Sequence, residues 1–240
     1  MAHIILTGAT GTVGAAVLAH AIATPSISRI SILSRRPVKL AENEPKAKVI
    51  LQTDFTKYDS SMLDQLEGAT SCIWAQGISS RGMSEDEYAK ITVDYPVSAA
   101  RAFSGLSERF NFVYVSGEGA DMEGKSSTMF GKIKGRAEKT LLAEQGKLPS
   151  LRVYNVRPAT INPQGNYIAE RKPTLQDKLS TGLGNVFEKV WKSFVIPTDS
   201  LAKVLVELAT GDGQPIRAGV GIEADGRLLR NTAIRRLAGL

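Results

Sequence analysis

Short runs of β-forming apolar residues alternate with helical stretches along this 240-residue chain, and no other feature of the sequence restricts the fold as strongly. "HIILT" (3–7), "RISILS" (29–34), "KVILQTDF" (48–55), "TSCIWAQG" (70–77), "FNFVYVSG" (110–117) and "SLRVYNVRPA" (150–159) read as strands. Between them, "GTVGAAVLAHAIA" (11–23), "SMLDQLEGA" (61–69), "EDEYAKITVDYPVSAARAFSG" (85–105) and a segment from about Phe130 to Glu144 read as helices, with a kink expected at Pro96. Strands joined by helices pair in parallel, and near-continuous apolar strands are covered on both faces. The expected fold class is therefore α/β: a doubly wound parallel sheet, the Rossmann fold, formed by residues 1–240 as a single domain.

After Pro158 the alternation loosens. Residues 161–194 carry "NPQGNYIAERKP", "TGLGN" and the aromatics Phe187, Trp191 and Phe194. This stretch is expected to be a small C-terminal insertion that covers a substrate, with "TGLGN" as its hinge. "VIPTDSLAKVLVELATG" (195–211) then offers a strand, Asp199 as a helix cap and an amphipathic helix.

Composition removes several function classes. The one cysteine, Cys72, excludes an internal disulfide and any Cys-rich metal site. The two histidines, His3 and His20, lack partners at metal spacing, so both read as structural and no metal is expected. "MAHIILTGATGTVGAAVLAHAIA" has no basic leader, and no 18-residue apolar run follows elsewhere. A soluble, cytoplasmic protein with no membrane partner is expected. The net charge of +6 is spread through "SRRPVK", "KGRAEK" and "RNTAIRR" without interleaved aromatics. A polyanionic small molecule is a more economical partner than nucleic acid. The chain is expected to be a monomer or a homodimer.

The candidate binding residues begin in the first turn. Gly8, Gly11 and Gly14 in "TGATGTVG" stand between the first strand and the first helix, with Thr10, Thr12 and Val13 among them. Glycine there permits a tight turn, lets the backbone approach a pyrophosphate, and allows close packing of helix on strand. The second strand ends in Ser34, Arg35 and Arg36, where an acidic residue would instead select a free ribose hydroxyl. Arginine suits a bidentate phosphate grip, so NADP is expected over NAD. Asp54 and Phe55 are placed near the adenine, Ala75, Gln76 and Gly77 close the fourth strand, and Ser116 closes the fifth. Strand ends of this kind line the crevice in which open α/β sheets bind ligands.

This ordered set resembles the short-chain dehydrogenase/reductase superfamily, and in detail its atypical branch typified by the Tat-interacting oxidoreductases and their fungal relatives. The likeness runs through "ILTGATGTVG", "LSRRP", "TDF", "VSGEGAD", "KIKGRAEKTL", "VRPA", "PTDSLA" and "NTAIRRLA". It implies a reducing site made of a serine after the fifth strand and a Tyr-x-x-x-Lys pair on the next helix. Ser116 matches the serine and Lys134 the lysine, which would hold the nicotinamide ribose; Arg157 and Pro158 would border the nicotinamide. Phe130 stands where the tyrosine belongs, so the phenol that would protonate a carbonyl oxygen is missing. General acid catalysis typically contributes ~10²–10⁴-fold, so a simple ketone reductase would be crippled.

The resemblance implies an NADPH-dependent oxidoreductase of a small carbonyl, enone or iminium substrate. Three accounts of Phe130 stay open. Another group supplies the proton, with Tyr88, Tyr154, Tyr167 and Lys132 available by type. Alternatively the substrate is an iminium, which needs no proton on oxygen. The third account is a redox-silent NADP-binding sensor or regulator, or an isomerase or cyclase using the same pocket.

Overall fold

A computed structural model describes residues 1–164 and 194–240. Much of the expected lid, including Tyr167, Phe187, Trp191 and the "TGLGN" hinge, lies outside the described residues. The main sheet contains β1 (Ala2–Thr7), β2 (Ile27–Ser34), β3 (Ala47–Leu51), β4 (Ser71–Trp74), β5 (Phe110–Val115), β6 (Leu151–Arg157), β9 (Ile222–Glu223) and β10 (Leu228–Arg230). Its order is β3-β2-β1-β4-β5-β6-β10-β9, parallel throughout except for β9 against β10. The expected α/β sheet is thus present, and its order reverses between β1 and β4. A separate parallel pair, β7 (Thr160–Asn162) with β8 (Val195–Pro197), joins the two ends of the segment that was read as an insertion.

Strand periodicity divides the interior into two cores. Ile4 and Leu6 of β1 and Val113 of β5 face the layer of α1 (Thr12–Ala23), α6 (Thr198–Thr210) and α7 (Asn231–Ala238). Ile5, Phe112 and Tyr114 face the opposite layer, built from α2 (Ser60–Gln65), α3 (Glu85–Ala89), α4 (Tyr95–Phe103) and α5 (Met129–Lys147). Successive side chains of a strand point to opposite faces, so each strand supplies both cores and needs apolar residues at nearly every position. Asp199 does not cap α6 as expected: Pro197 holds that position, and Asp199 lies in the first turn, where its charge still suits the helix dipole. His3 is structural, with its ring nitrogens 3.1 Å from the Glu67 carbonyl and 2.9 Å from Ser31 Oγ.

Pro96 is accommodated by a change of helix type. A π-helical turn over Lys90–Asp94 links α3 to α4 directly before the proline. Proline lacks the N–H that would serve the carbonyl four residues back, here Thr92. The Tyr114 phenol crosses from β5 and donates to that carbonyl at 3.0 Å. Tyr114 is fully buried, and burial pushes its phenol well above its ordinary pKa. Replacing Tyr114 by Phe keeps the ring and leaves a buried carbonyl without its donor, at a cost of about 1–3 kcal/mol. Urea denaturation is expected to show a lowered midpoint; an unchanged midpoint would contradict this role for the phenol.

Candidate active site

The first β–α turn is held by contacts that only glycine permits. Gly8 has φ of 74°, and a Cβ on it would stand 2.4 Å from the Ala75 carbonyl oxygen. A Cβ on Gly14 would stand 2.1 Å from the Gly8 carbonyl oxygen. Gly11 donates to the Gly8 carbonyl at 2.9 Å and opens α1, which has neither a side-chain cap nor an acidic residue in its first turn. The helix therefore presents its positive end with no competing carboxylate.

Around this turn Gly8, Thr10, Gly11, Ser34, Arg35, Phe55, Ala75, Gln76 and Gly77 line one cleft, together with Leu33. These nine sequence-selected residues come from the ends of β1, β2 and β4 and from the loop after β3. The cradle fits a phosphorylated dinucleotide: the glycine contacts bring the backbone close, and the uncapped helix start and the exposed Arg35 supply positive charge. Thr12 and Val13 form the first turn of α1 beside it. The Arg36 amide donates to Ser34 Oγ at 3.4 Å, tightening the turn after β2. Asp54 spends its carboxylate on Thr56, accepting from the amide at 2.9 Å and the hydroxyl at 2.6 Å, and these bonds lower its pKa. Phe55 is buried against Trp74, edge to face at 6.0 Å.

The second group lies beyond β5. Ser116 is buried, and its hydroxyl has no hydrogen-bond partner among the described residues. The half-buried Phe130 stands at the start of α5 with its ring tip against Gly117, where an added Cβ would lie 2.9 Å from Cζ. One helical turn on, Lys134 is buried; its ammonium donates to the Val115 carbonyl at 3.0 Å and sits 4.8 Å from the Tyr114 ring centre. Burial lowers its pKa to about 8, with Glu138 opposing the shift. Arg157 turns its guanidinium into the interior and grips the fully buried Glu138 through two bonds of 2.8 and 2.5 Å. Pro158 keeps its place at the rim, where its carbonyl accepts from the Glu118 amide at 2.9 Å.

Three of the four groups considered as substitute acids are dispersed. Tyr88 is fully buried, Tyr154 donates to the Gln214 carbonyl at 2.6 Å, and Lys132 lies in a separate surface groove with Arg136 and Lys139. Tyr167 lies outside the described residues.

Sequence reading missed a latch that fixes the Ser116 loop. The Glu118 carboxylate accepts from Arg230 Nη2 at 2.8 Å and from the Asn231 amide at 2.9 Å, while Arg230 also reaches Glu223 at 3.2 Å. Asn231 Oδ1 accepts from Ala159 at 3.1 Å. More than a hundred residues separate Glu118 from Arg230, so no local pattern connects them. The one available signal was the recurrence of charged residues in "GEGAD" and "GRLLRN" beside strand ends.

A hollow of about 720 Å³ lies at the opposite edge of the sheet beside Thr70, Asn111 and Gly211. There the Asn111 amide is already donated to the carbonyls of Leu208, Ala209 and Gly211. The carboxyl ends of the strands are the ligand-binding edge of such sheets, and the sequence-selected residues gather at that edge.

The fold is that of a short-chain dehydrogenase/reductase. A member of that class from Saccharomyces cerevisiae superposes with a TM-score of 0.65 at 15% identity, covering 96% of this chain and 96% of that one. No family model matches the sequence. The chain is 36% identical over 156 residues to botcinic acid biosynthesis cluster B protein 16 of Botryotinia fuckeliana, covering 98% of that protein and 60% of this chain, and it belongs to the same family. It is 39% identical over 178 residues to leucinostatins biosynthesis cluster protein T of Purpureocillium lilacinum, a match that spans 67% of this chain and 65% of that protein. The mitochondrial protein fmp52 of Emericella nidulans is 33% identical over 147 residues, 60% of this chain and 61% of that protein. The expected cytoplasmic location is corrected by this last group, because several Fmp52 relatives are named mitochondrial.

The glycine geometry separates two similar substitutions. Gly14→Ala drives a methyl into the Gly8 carbonyl and is expected to cost about 1–3 kcal/mol or more. Gly11→Ala meets only the Gly8 oxygen at 3.4 Å, on a backbone with φ of −97°, and should stay within ~1 kcal/mol. Denaturation midpoints compare them directly, and equal losses would contradict the close approach described.

Proposed function

We propose that this protein is an NADPH-dependent oxidoreductase of a small organic molecule, related to the atypical Tat-interacting branch of its superfamily. The observation that carries the reading is the uncapped start of α1, closed in by Gly8 and Gly14 and lined by Arg35. The turn would hold the pyrophosphate, while Ser34, Arg35 and Arg36 would hold a phosphate on the adenosine ribose. The bound dinucleotide would supply the hydride. Ser116, buried and with its hydroxyl unspent, would orient the substrate. Lys134 would steady the nicotinamide side through the rigid Val115–Ser116 backbone as well as by its own charge. The reductase fold and the likeness to two biosynthesis-cluster proteins support chemistry over silent binding.

Phe130 limits which reductions proceed. A ketone that accepts hydride becomes an alkoxide and needs a proton, and no phenol stands at position 130 to give one. The ring tip of Phe130 packs on Gly117, whose lack of a Cβ admits it. Phe130→Tyr is therefore expected to raise generic ketone reduction by ~10²–10⁴-fold, followed as NADPH absorbance. No gain, with NADPH still bound, would show that the remaining reducing geometry is absent. Replacing both Arg35 and Arg36 by Ala should weaken NADPH and leave NADH unchanged, measured by fluorescence of the reduced nicotinamide. Equal losses for the two coenzymes would refute the 2'-phosphate role.

A further inference from the structure

Resting on that reading, we propose that the hydride acceptor is a cationic carbon–nitrogen double bond, an iminium, seated against the face of Phe130 beside the Ser116 hydroxyl. Among the described residues no phenol stands free at the site, which points to an acceptor that needs no proton; Tyr167 lies outside them. The phenols of Tyr88, Tyr114 and Tyr154 are buried, and those of Tyr114 and Tyr154 are donated to the carbonyls of Thr92 and Gln214. The Lys134 ammonium is donated to the Val115 carbonyl. An iminium completes its reduction without any of them. Its carbon gains a C–H bond as the C–H bond of the reduced dinucleotide breaks, and the C=N π pair becomes the nitrogen lone pair. The product is a neutral amine, the positive charge passes to the oxidised dinucleotide, and no proton enters or leaves.

The surroundings also accept a cation. An aromatic face attracts a positive charge within about 6 Å of its centre, and phenylalanine offers that face with no acidic hydrogen. Phe130 is half-buried, held from one side by Gly117 and Gly119. The charged groups behind the wall are balanced. Arg157 is neutralised by Glu138, and Arg230 is shared between two carboxylates, Glu118 and Glu223. Lys134 is the remaining cation of this group; burial brings its pKa down to about 8, and its charge is directed to the Val115 carbonyl and the Tyr114 ring. A phenol at position 130 would add nothing that an iminium needs, whereas loss of the ring would remove its seat.

The test begins with calorimetric titration of NADPH, which decides the underlying reading by itself: no binding overturns both claims. The NADPH complex is then titrated with N,N-dimethyl tetrahydroisoquinolinium, a cation that cannot accept hydride, and with the neutral tetralone. Wild type and Phe130→Tyr should bind the cation more tightly than the tetralone, and Phe130→Leu should lose roughly ten-fold for the cation alone. In turnover, wild type should consume NADPH with an N-methyl dihydroisoquinolinium salt and leave tetralone unreduced, and Phe130→Leu should lose roughly ten-fold in kcat/KM for the iminium. The substrate class is overturned if NADPH binds but the cation shows no preference, if Phe130→Leu binds it unchanged, or if wild type reduces tetralone and not the iminium. Circular dichroism of Phe130→Leu confirms that a loss of binding comes from a folded protein.

Discussion

The close approach of Gly14 to the Gly8 carbonyl sets the geometry of everything near the candidate site. A methyl at either glycine would meet backbone oxygen at 2.1 or 2.4 Å, so β1, α1 and the end of β4 can converge only around bare backbone. That convergence brings the amino terminus of α1 to the point where the strand order reverses between β1 and β4. The dipole of the helix, the polar ends of β2 and β4, and Arg35 then share one cleft. The same convergence leaves the start of α1 without a side-chain cap.

The other half of the site is organised by buried charge. Glu138 and Arg157 pair inside the wall, and Glu118 ties the loop after β5 to Arg230 and Asn231 at the start of the last helix. Removing one member of the Glu138–Arg157 pair would strand a buried charge, whereas Arg230 is partly exposed and its bonds to Glu118 serve to fix the loop. Ser116 lies between the two locks, with its amide bonded to the Val156 carbonyl at 2.8 Å. Its hydroxyl alone is left for a ligand. Around it stand an aromatic ring, an ammonium bonded to the Val115 carbonyl, and carboxylates paired with arginines.

Much of this was legible in the sequence for a definite reason. The strands β1 to β6 carry apolar residues on both faces, and the Gly8–Gly14 spacing reflects a contact between residues six positions apart. Nine of the residues selected for coenzyme binding therefore share the cleft. The hairpin of β9 and β10 escaped notice because its strands are two and three residues long, although the positive φ values of Ala224, Asp225 and Gly226 show why "ADG" belongs in a tight turn. The Arg157 guanidinium was read toward the nicotinamide, but its partner Glu138 lies on another element and cannot be paired with it from spacing alone. The π-helical turn before Pro96 depends on a phenol from β5, a contact that sequence periodicity does not encode.

The proposed reading has this turn and its two arginines grip an adenine dinucleotide that carries a 2'-phosphate. Calorimetric titration of the unaltered protein with NADPH and with NADH, at matched ionic strength, tests it most directly. Saturable binding of NADPH at least about ten-fold tighter than NADH is expected, because the additional phosphate gains charge-assisted hydrogen bonds to guanidinium. Equal affinity for the two, or no heat with either, would contradict it.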